Sequence, residues 1–389
     1  MVSNNIGNVL KKYTMVIALV IIIGIFYVGT GGTILLSQNV NNLLSQNAYV
    51  FVLGTGMLLC ILTGGNIDLS VGSVVCFVGG IGAMLMSKNV NVWVAVIVML
   101  LAGVAVGAWQ AFWVAYVNVP PFIATLAGMY AFRGLSNVVL NGYAVSISNT
   151  TFLNVFGGGA DCYIPDFFHG TGLNITCMLA GVIAVAVYVL LSVKNRISAA
   201  RKGYETTSAG GFYAKLVVIS AVILYLAYKL AGYKGIPASL IWIVIIILAY
   251  NYVTTKTTIG RYLYAVGGNE KATQLSGINT KKVYFFAYTN MGFLAAFAGI
   301  LTVARAASAQ PTYGQFYEMD AIGACFIGGA SAYGGTGSVF GAIIGALLMG
   351  VINQGMLIMG VDANYQKVVK GLVLLAAVIF DVMSKREKK

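Results

Sequence analysis

Gly267-Gly268-Asn269-Glu270-Lys271-Ala272-Thr273-Gln274-Leu275-Ser276-Gly277-Ile278 is a polar island between two long apolar segments, 238–254 and 284–304. Helix-forming residues stand at its centre and glycines at its edges. The chain around it has 389 residues, of which 59% are hydrophobic and 8% charged. A soluble domain carries about a quarter charged residues, so this chain cannot cover a water-exposed surface and must face lipid. Apolar runs near the ~20 residues needed to cross hydrocarbon recur along it. Helices satisfy their own backbone groups in lipid, and the long runs do not alternate as barrel strands do. The expectation is an all-α polytopic membrane protein of about twelve transmembrane helices. An exposed island between two such helices can dock on a soluble partner.

The spans are read at 13–36, 47–65, 68–87, 92–117, 121–140, 173–193, 213–233, 238–254, 284–304, 319–334, 337–357 and 366–383. Segment 37–46 is expected at the outer interface rather than across the membrane. Basic residues fix the orientation, because they accumulate in cytoplasmic loops. With both termini inside, the inside set holds 16 of the 23 Lys and Arg. These are Lys11 and Lys12; Lys194, Arg196, Arg201, Lys202 and Lys215; Lys256, Arg261, Lys271, Lys281 and Lys282; and Lys385, Arg386, Lys388 and Lys389. The island then lies on the cytoplasmic side. The first apolar run lacks a small-residue cleavage site and is read as a span, not a signal peptide. The net charge of +13 lies in short loops, as orientation signals do, so no nucleic-acid partner is expected. Lipid is the expected surroundings.

Five cysteines (Cys60, Cys76, Cys162, Cys177, Cys325) show no C-x-x-C spacing, and the lone His169 has no ligand-spaced partner. No metal and no cofactor is expected. No P-loop is present, since the chain contains no Gly-Lys dipeptide. No arrangement of nucleophile, base and orienting group stands out, so an enzyme is not expected.

An internal likeness links Val75–Ala83 to Ala324–Ala332. Each copy follows acidic residues, Asp68 in one and Glu318 with Asp320 in the other. Each precedes a Gly-x-x-x-Gly span, at Gly103 and Gly341. The span count runs the copies in opposite directions across the membrane, which makes an inverted repeat. The organisation read from this is 1–46, an N-terminal span and interfacial segment; 47–140, a first repeat; 141–237, an external loop and a helix pair; 238–283, a span and the island; 284–383, the second repeat; and 384–389, a basic tail. The Gly-x-x-x-Gly spacings are read as packing within the chain.

Chain breaks supply the candidates for a path. Asp68, Ser70, Gly72 and Ser73 mark one, and Asn118, Phe122 and Thr125 mark another beside Pro120 and Pro121. A local capping role for Asp68 stands beside the path reading. Arg133, inside a span, has two readings: a pathway charge, or a side chain that pairs or snorkels. Arg305, Gln310 and Glu318 flank or lie in an outer segment that could receive an external partner or be a solvated loop.

These residues carry a resemblance. Gly65–Ser73, Pro121–Leu126, Gly260–Glu270, Ala304-Arg305, Ser308–Pro311 and Tyr317–Ile322 are similar to the motifs of permease subunits of bacterial ABC importers for monosaccharides, with Asn66 a departure. The resemblance covers nearly the whole chain. It implies a type II ABC importer permease fold and a homodimer. The implied partners are a cytoplasmic ATPase, often with two fused nucleotide-binding domains, and an extracytoplasmic sugar-binding protein. Such permeases commonly have ten spans. The pair at 173–193 and 213–233 is extra and resembles the xylose or multiple-monosaccharide subgroup, favouring xylose, galactose, glucose or arabinose over ribose. The island then reads as a coupling helix, with Gly267, Gly268, Asn269, Glu270, Lys271, Ala272, Leu275, Ser276 and Gly277 facing the ATPase. A same-design importer for nucleosides or other small solutes and an ion-coupled secondary transporter are the rival readings. A permease handed a neutral sugar by a binder needs no tight site of its own.

Overall fold

A computed structural model describes residues 2–159, 161–204 and 208–386. Lys388 and Lys389 of the basic tail lie outside the described residues. The chain is helical: α1 (Val2–Gly29), α2 (Ser37–Gln46), α3 (Ala48–Leu62), α4 (Val71–Ser87), α5 (Val92–Ala115), α6 (Pro121–Leu140), α7 (Thr150–Phe156), α8 (Ile175–Arg201), α9 (Ala209–Ala231), α10 (Ala238–Lys256), α11 (Thr258–Gly268), α12 (Glu270–Leu275), α13 (Thr280–Ala306), α14 (Tyr317–Ile327), α15 (Val339–Ile358) and α16 (Ala363–Arg386). Two short strands, β1 (Val145–Ser146) and β2 (Ser308–Ala309), pair antiparallel. Local signals set many of the starts. Asn91, Asn149, Asn174, Asn269 and Asn279 each accept a backbone N–H two or three residues on, as N-caps do. Pro121 opens α6 at a position where its missing N–H costs nothing.

Among the described residues, seven helices are long and apolar enough to cross a membrane: α5, α6, α8, α9, α10, α13 and α15. The pair α2–α3, bent by 43°, makes an eighth if it is one broken span. Every expected span falls on a helix, but not every helix has the expected length. The segment 319–334 holds only α14, whose 11 residues reach about 16 Å and do not cross ~30 Å of hydrocarbon alone. Beyond it the chain turns through Gly329, Gly334, Gly335 and Gly337 at positive φ. The internal likeness diverges there as well. Val75–Ala83 is helical throughout, whereas its counterpart leaves the helix at Ile327. Segment 37–46 is a helix whose Val40, Asn41, Leu43 and Ser45 are buried by protein.

The core is built around α3 and α13. Every residue of α3 is buried, as expected of a helix that is apolar on all sides. Along α13, small residues bring neighbouring backbones close. A Cβ at Gly103 of α5 would lie 2.3 Å from the Ala296 Cβ and 2.6 Å from the Gly292 oxygen. One at Gly107 would lie 2.7 Å from the Tyr288 oxygen. The second Gly-x-x-x-Gly run packs within the chain too, with Gly345 against the Ala324 oxygen and Gly341 against the Gly328 oxygen. Helices α8 and α9 pair through Gly181 and Ala227 at the periphery. Their outer faces leave Val182, Ile183, Leu190, Val217 and Val218 exposed, a surface suited to lipid.

The connection into α8 is ordered by Asp166. Its carboxylate accepts from the backbone N–H groups of Gly170, Ile175 and Thr176 at 2.9–3.1 Å and of Phe168 at 3.2 Å. Desolvation pushes this carboxyl up, but the N–H groups together outweigh it and hold it well below the usual carboxylate range.

Two outcomes are expected. Gly103→Leu should overpack the α5–α13 seam, lowering stability by about 1–3 kcal/mol; a thermal midpoint in detergent unchanged from wild type would contradict the close seam. For Asp166, the folded value lies below the unfolded one, so its contribution is fully present above the ordinary carboxylate range. It is lost as pH falls through that range toward the folded value. The gap in thermal midpoint between wild type and Asp166→Asn should therefore be constant near neutrality and narrow below about pH 4.

Candidate functional site

The island is a second, smaller helix set against the end of α11. Asn269 breaks the chain with extended backbone and caps α12, its Oδ1 accepting from the Ala272 N–H at 2.9 Å. Glu270 stands in the first turn, where a carboxylate suits the helix dipole, and accepts from the Tyr284 hydroxyl at 3.1 Å. Thr273 is the buried anchor, its Oγ1 donating to the Asn269 oxygen at 2.8 Å. Gln274 donates to Thr280 Oγ1 at 3.0 Å. These bonds leave Lys271, Ala272, Leu275 and Ser276 exposed, and Leu275 is 84% exposed. A leucine so placed on a polar loop is unexplained by packing within the chain.

The glycines of the island divide by role. A Cβ at Gly267 would lie 1.8 Å from the Leu62 oxygen and 2.4 Å from the Gly335 nitrogen. Gly267 therefore seats the island on the end of α3 and on the turn after α14. Gly277 holds φ at +83° and turns the chain into α13, while Gly268 meets open space. Tyr264 ties the same region down by donating to the Gly337 oxygen at 2.9 Å. The island thus rests on elements from both the first and the second half of the chain.

The opposite end of α13 carries the other candidates. At 27 residues this helix is about 40 Å long, so its two ends lie farther apart than the ~30 Å of hydrocarbon. Past Arg305 the chain enters β2, pairs with β1, and runs through 310–316. Arg133 donates through Nη1 to the Tyr313 oxygen at 2.6 Å and the Pro311 oxygen at 3.2 Å, so this intramembrane charge fastens a loop. Arg305 and Gln310 are half-buried. Glu318 lies differently from its neighbours. It is buried, and a Cβ at Gly72 would lie 2.7 Å from its Oε2.

The path candidates also separate. Asp68 Oδ1 accepts from Ser70 N at 2.8 Å and from Ser70 Oγ at 2.7 Å, and Gln110 Nε2 donates to the same Oγ. Asp68 thus caps Ser70 rather than the first N–H groups of α4. Asp68, Ser70, Ser73 and Thr125 are all buried, and Gly72 is closed against the Gly314 oxygen. Asn118, at φ +63°, and Phe122 are exposed. The break before α4 is a closed polar knot here, while Asn118 and Phe122 at the break before α6 are exposed.

One cluster escaped sequence reasoning. Asp320 Oδ2 accepts from Tyr49 Oη at 2.6 Å and pairs with Lys370 Nζ at 2.9 Å. The Tyr49 ring stacks on Tyr317 with centroids 3.5 Å apart. Three helices, α3, α14 and α16, meet at this one buried carboxylate. The available signal was a lysine inside the apolar run 366–383, which calls for a partner, but nothing in its spacing names Asp320.

Residues 39–378 match the family model described as branched-chain amino acid transport system / permease component. The chain is 37% identical over 385 residues to the xylose transport system permease protein XylH of Haemophilus influenzae, covering 97% of this chain and 98% of that protein. It is 34% identical to XylH of Escherichia coli K12, covering 97% and 93%. It is 36% identical to the ribose import permease protein RbsC of Escherichia coli K12, covering 88% and 85%. No solved structure matches.

Lys370→Met should strand Asp320 in a low-dielectric interior and cost about 3–5 kcal/mol. Lys370→Met with Asp320→Leu removes both charges and should recover most of it. Thermal unfolding of the two variants in detergent decides this; a single variant as stable as wild type would mean that the pair carries no such weight.

Proposed function

The chain belongs to the family of permease components of the branched-chain amino acid transport system, and from that premise we propose that it is the membrane-spanning permease of an ATP-driven monosaccharide importer. The carrying observation is likeness at 34–37% identity, over nearly the full length of both chains, to permeases of xylose transport. The substrate class is a monosaccharide of the xylose, galactose, glucose or arabinose type. This chain supplies the route, not the hydrolysis, and without a P-loop it depends on an ATPase subunit.

Several finer features belong to this reading. The long apolar helices cross the membrane with both termini in the cytoplasm, as the basic-residue bias favours, and α14 enters it only part-way. The halves 47–140 and 284–383 act as inverted repeats that tilt against each other to open the path alternately to the two sides. The functional unit is a homodimer in lipid, with an ATPase of two fused nucleotide-binding domains on one side and a sugar-binding protein on the other. The island 267–278 is the coupling element. Its support is the exposed Leu275 with Lys271, Ala272 and Ser276 around it, on a helix whose base is seated against both halves. ATP-driven movement of the docked ATPase would pass through Gly267 to the end of α3 and the turn at Gly335. The knot at Asp68, Ser70 and Gln110 lies beside the path and is closed in this conformation, with Gly72, Ser73 and Thr125 around it.

Replacing Glu270, Lys271, Leu275 and Ser276 together should reduce sugar uptake and sugar-stimulated ATP hydrolysis in proteoliposomes by at least about tenfold, the equivalent of ~1.4 kcal/mol of coupling. Folding, followed by thermal midpoint, should be preserved because the buried Thr273 and capping Asn269 remain. Unchanged uptake by the reconstituted complex would remove the coupling role from the island. Absence of uptake of any monosaccharide by the wild-type complex would remove the sugar reading itself.

A further inference from the structure

At the end of α13 away from the island, a cavity of about 280 Å³ lies between this helix, the α2–α3 bend and the start of α14. Its walls include Gln46, Tyr49, Arg305, Tyr313 and Tyr317. The volume equals that of about nine waters, comparable to one small sugar ring. Two of the three tyrosines are fixed through their hydroxyls. Tyr49 donates to Asp320, and Tyr313 Oη lies 3.1 Å from Ser308 Oγ. Tyr49 is further held by its stack on Tyr317. The cavity therefore has rigid aromatic surfaces whose polar ends are already engaged.

The remaining hydrogen-bonding capacity comes mainly from Arg305 and Gln46, beside the Thr302 hydroxyl, which also lines the cavity and has no hydrogen-bond partner among the described residues. Among the described residues, neither Arg305 nor Gln46 is engaged in a side-chain hydrogen bond or an ion pair, and both are half-buried. Arg305 offers five N–H donors in a fixed fork, and Gln46 both donates and accepts. No carboxylate lines the cavity. Aromatic faces suit the C–H face of a sugar ring, and unpaired donors with one amide acceptor suit its hydroxyls.

We propose that this cavity is a weak receiving site for one neutral monosaccharide, with Arg305 and Gln46 binding its hydroxyls and the Tyr49, Tyr313 and Tyr317 rings walling it in. The inference rests on the sugar-importer reading and places the first contact of the permease with its cargo at the α13 end remote from the island. It reassigns Arg305 from a surface for a binding protein to the cargo itself. It also puts that cargo one side chain from the Asp320–Lys370 pair, because Tyr49 bridges the two.

The test uses the full chain in nanodiscs and the reconstituted complex in proteoliposomes. Saturation-transfer NMR with free D-xylose, and separately D-galactose, at millimolar concentration should give a signal with the wild type. Arg305→Leu and Gln46→Leu should each weaken it. In the complex, uptake from saturating loaded binding protein should fall at least about tenfold for Arg305→Leu, the loss of a charged hydrogen bond. Both variants should keep the wild-type thermal midpoint, which separates loss of the site from loss of the fold. A signal unchanged in both variants overturns the site, as does no signal from a chain whose complex imports the sugar. Displacement of the sugar by inorganic phosphate or a sugar acid at lower concentration overturns the neutral class. A complex that imports no monosaccharide overturns the functional reading and this inference with it.

Discussion

Gly292 of α13 sits where an added Cβ would lie 2.3 Å from the Gly103 oxygen and 2.5 Å from the Gly107 Cα. No side chain fits there, so α5 and α13 touch backbone to backbone. In lipid there is no hydrophobic drive to press helices together, and close approach of small residues supplies the dispersion energy instead. The same economy of side chain recurs where Gly299 meets Val75 of α4 and where Gly345 meets Ala324. The helix clasped in this way is long and mostly buried, and the island and the aromatic cavity lie at its two ends. The island precedes its first turn; the aromatic cavity and the loop held by Arg133 follow its last.

Charge inside the protein is handled by the opposite rule. Among apolar walls an ionised or polar group needs partners, and for Asp320 and Arg133 these come from distant parts of the chain. Asp320 gathers Tyr49 and Lys370, which lie 271 and 50 residues away. Arg133 reaches carbonyls 178 and 180 residues away. These contacts join elements that glycine packing alone would leave free to slide. They also put the first half of the chain and the second under a shared constraint, which a two-state mover requires if its halves are to tilt as bodies rather than loosen.

The candidate sites were legible to different depths. The island was readable because polarity between apolar runs is a local property, and Asn269, Glu270 and Gly277 mark a cap, a first turn and a stop. Its seating on Leu62 and Gly335 was not, because both lie far off in sequence. Asp68 was read as a capping carboxylate; it does accept a backbone N–H, though that of Ser70. The inward turn of Glu318 was not legible. An acid beside a loop is normally solvated, and only the fold shows it turned inward against Gly72. Segment 319–334 was read as a span from its apolar content, but Gly328 and Gly329 end the helix early, and apolar composition alone cannot separate a spanning helix from a buried half-helix and turn.

What the sequence determined by itself is the solvent and the kind of element. So few charges over 389 residues exclude a water-facing surface, and long apolar runs in lipid leave the helix as the backbone solution. Its basic residues favour one orientation, and its caps and prolines locate helix starts, since all of these act within a few residues. Which helices touch, which acid is buried, and that Tyr49, Arg305 and Tyr317 share one cavity were decided only by tertiary structure. Those facts depend on side chains tens to hundreds of residues apart meeting across a backbone contact that glycine permits, and no local pattern records such a meeting.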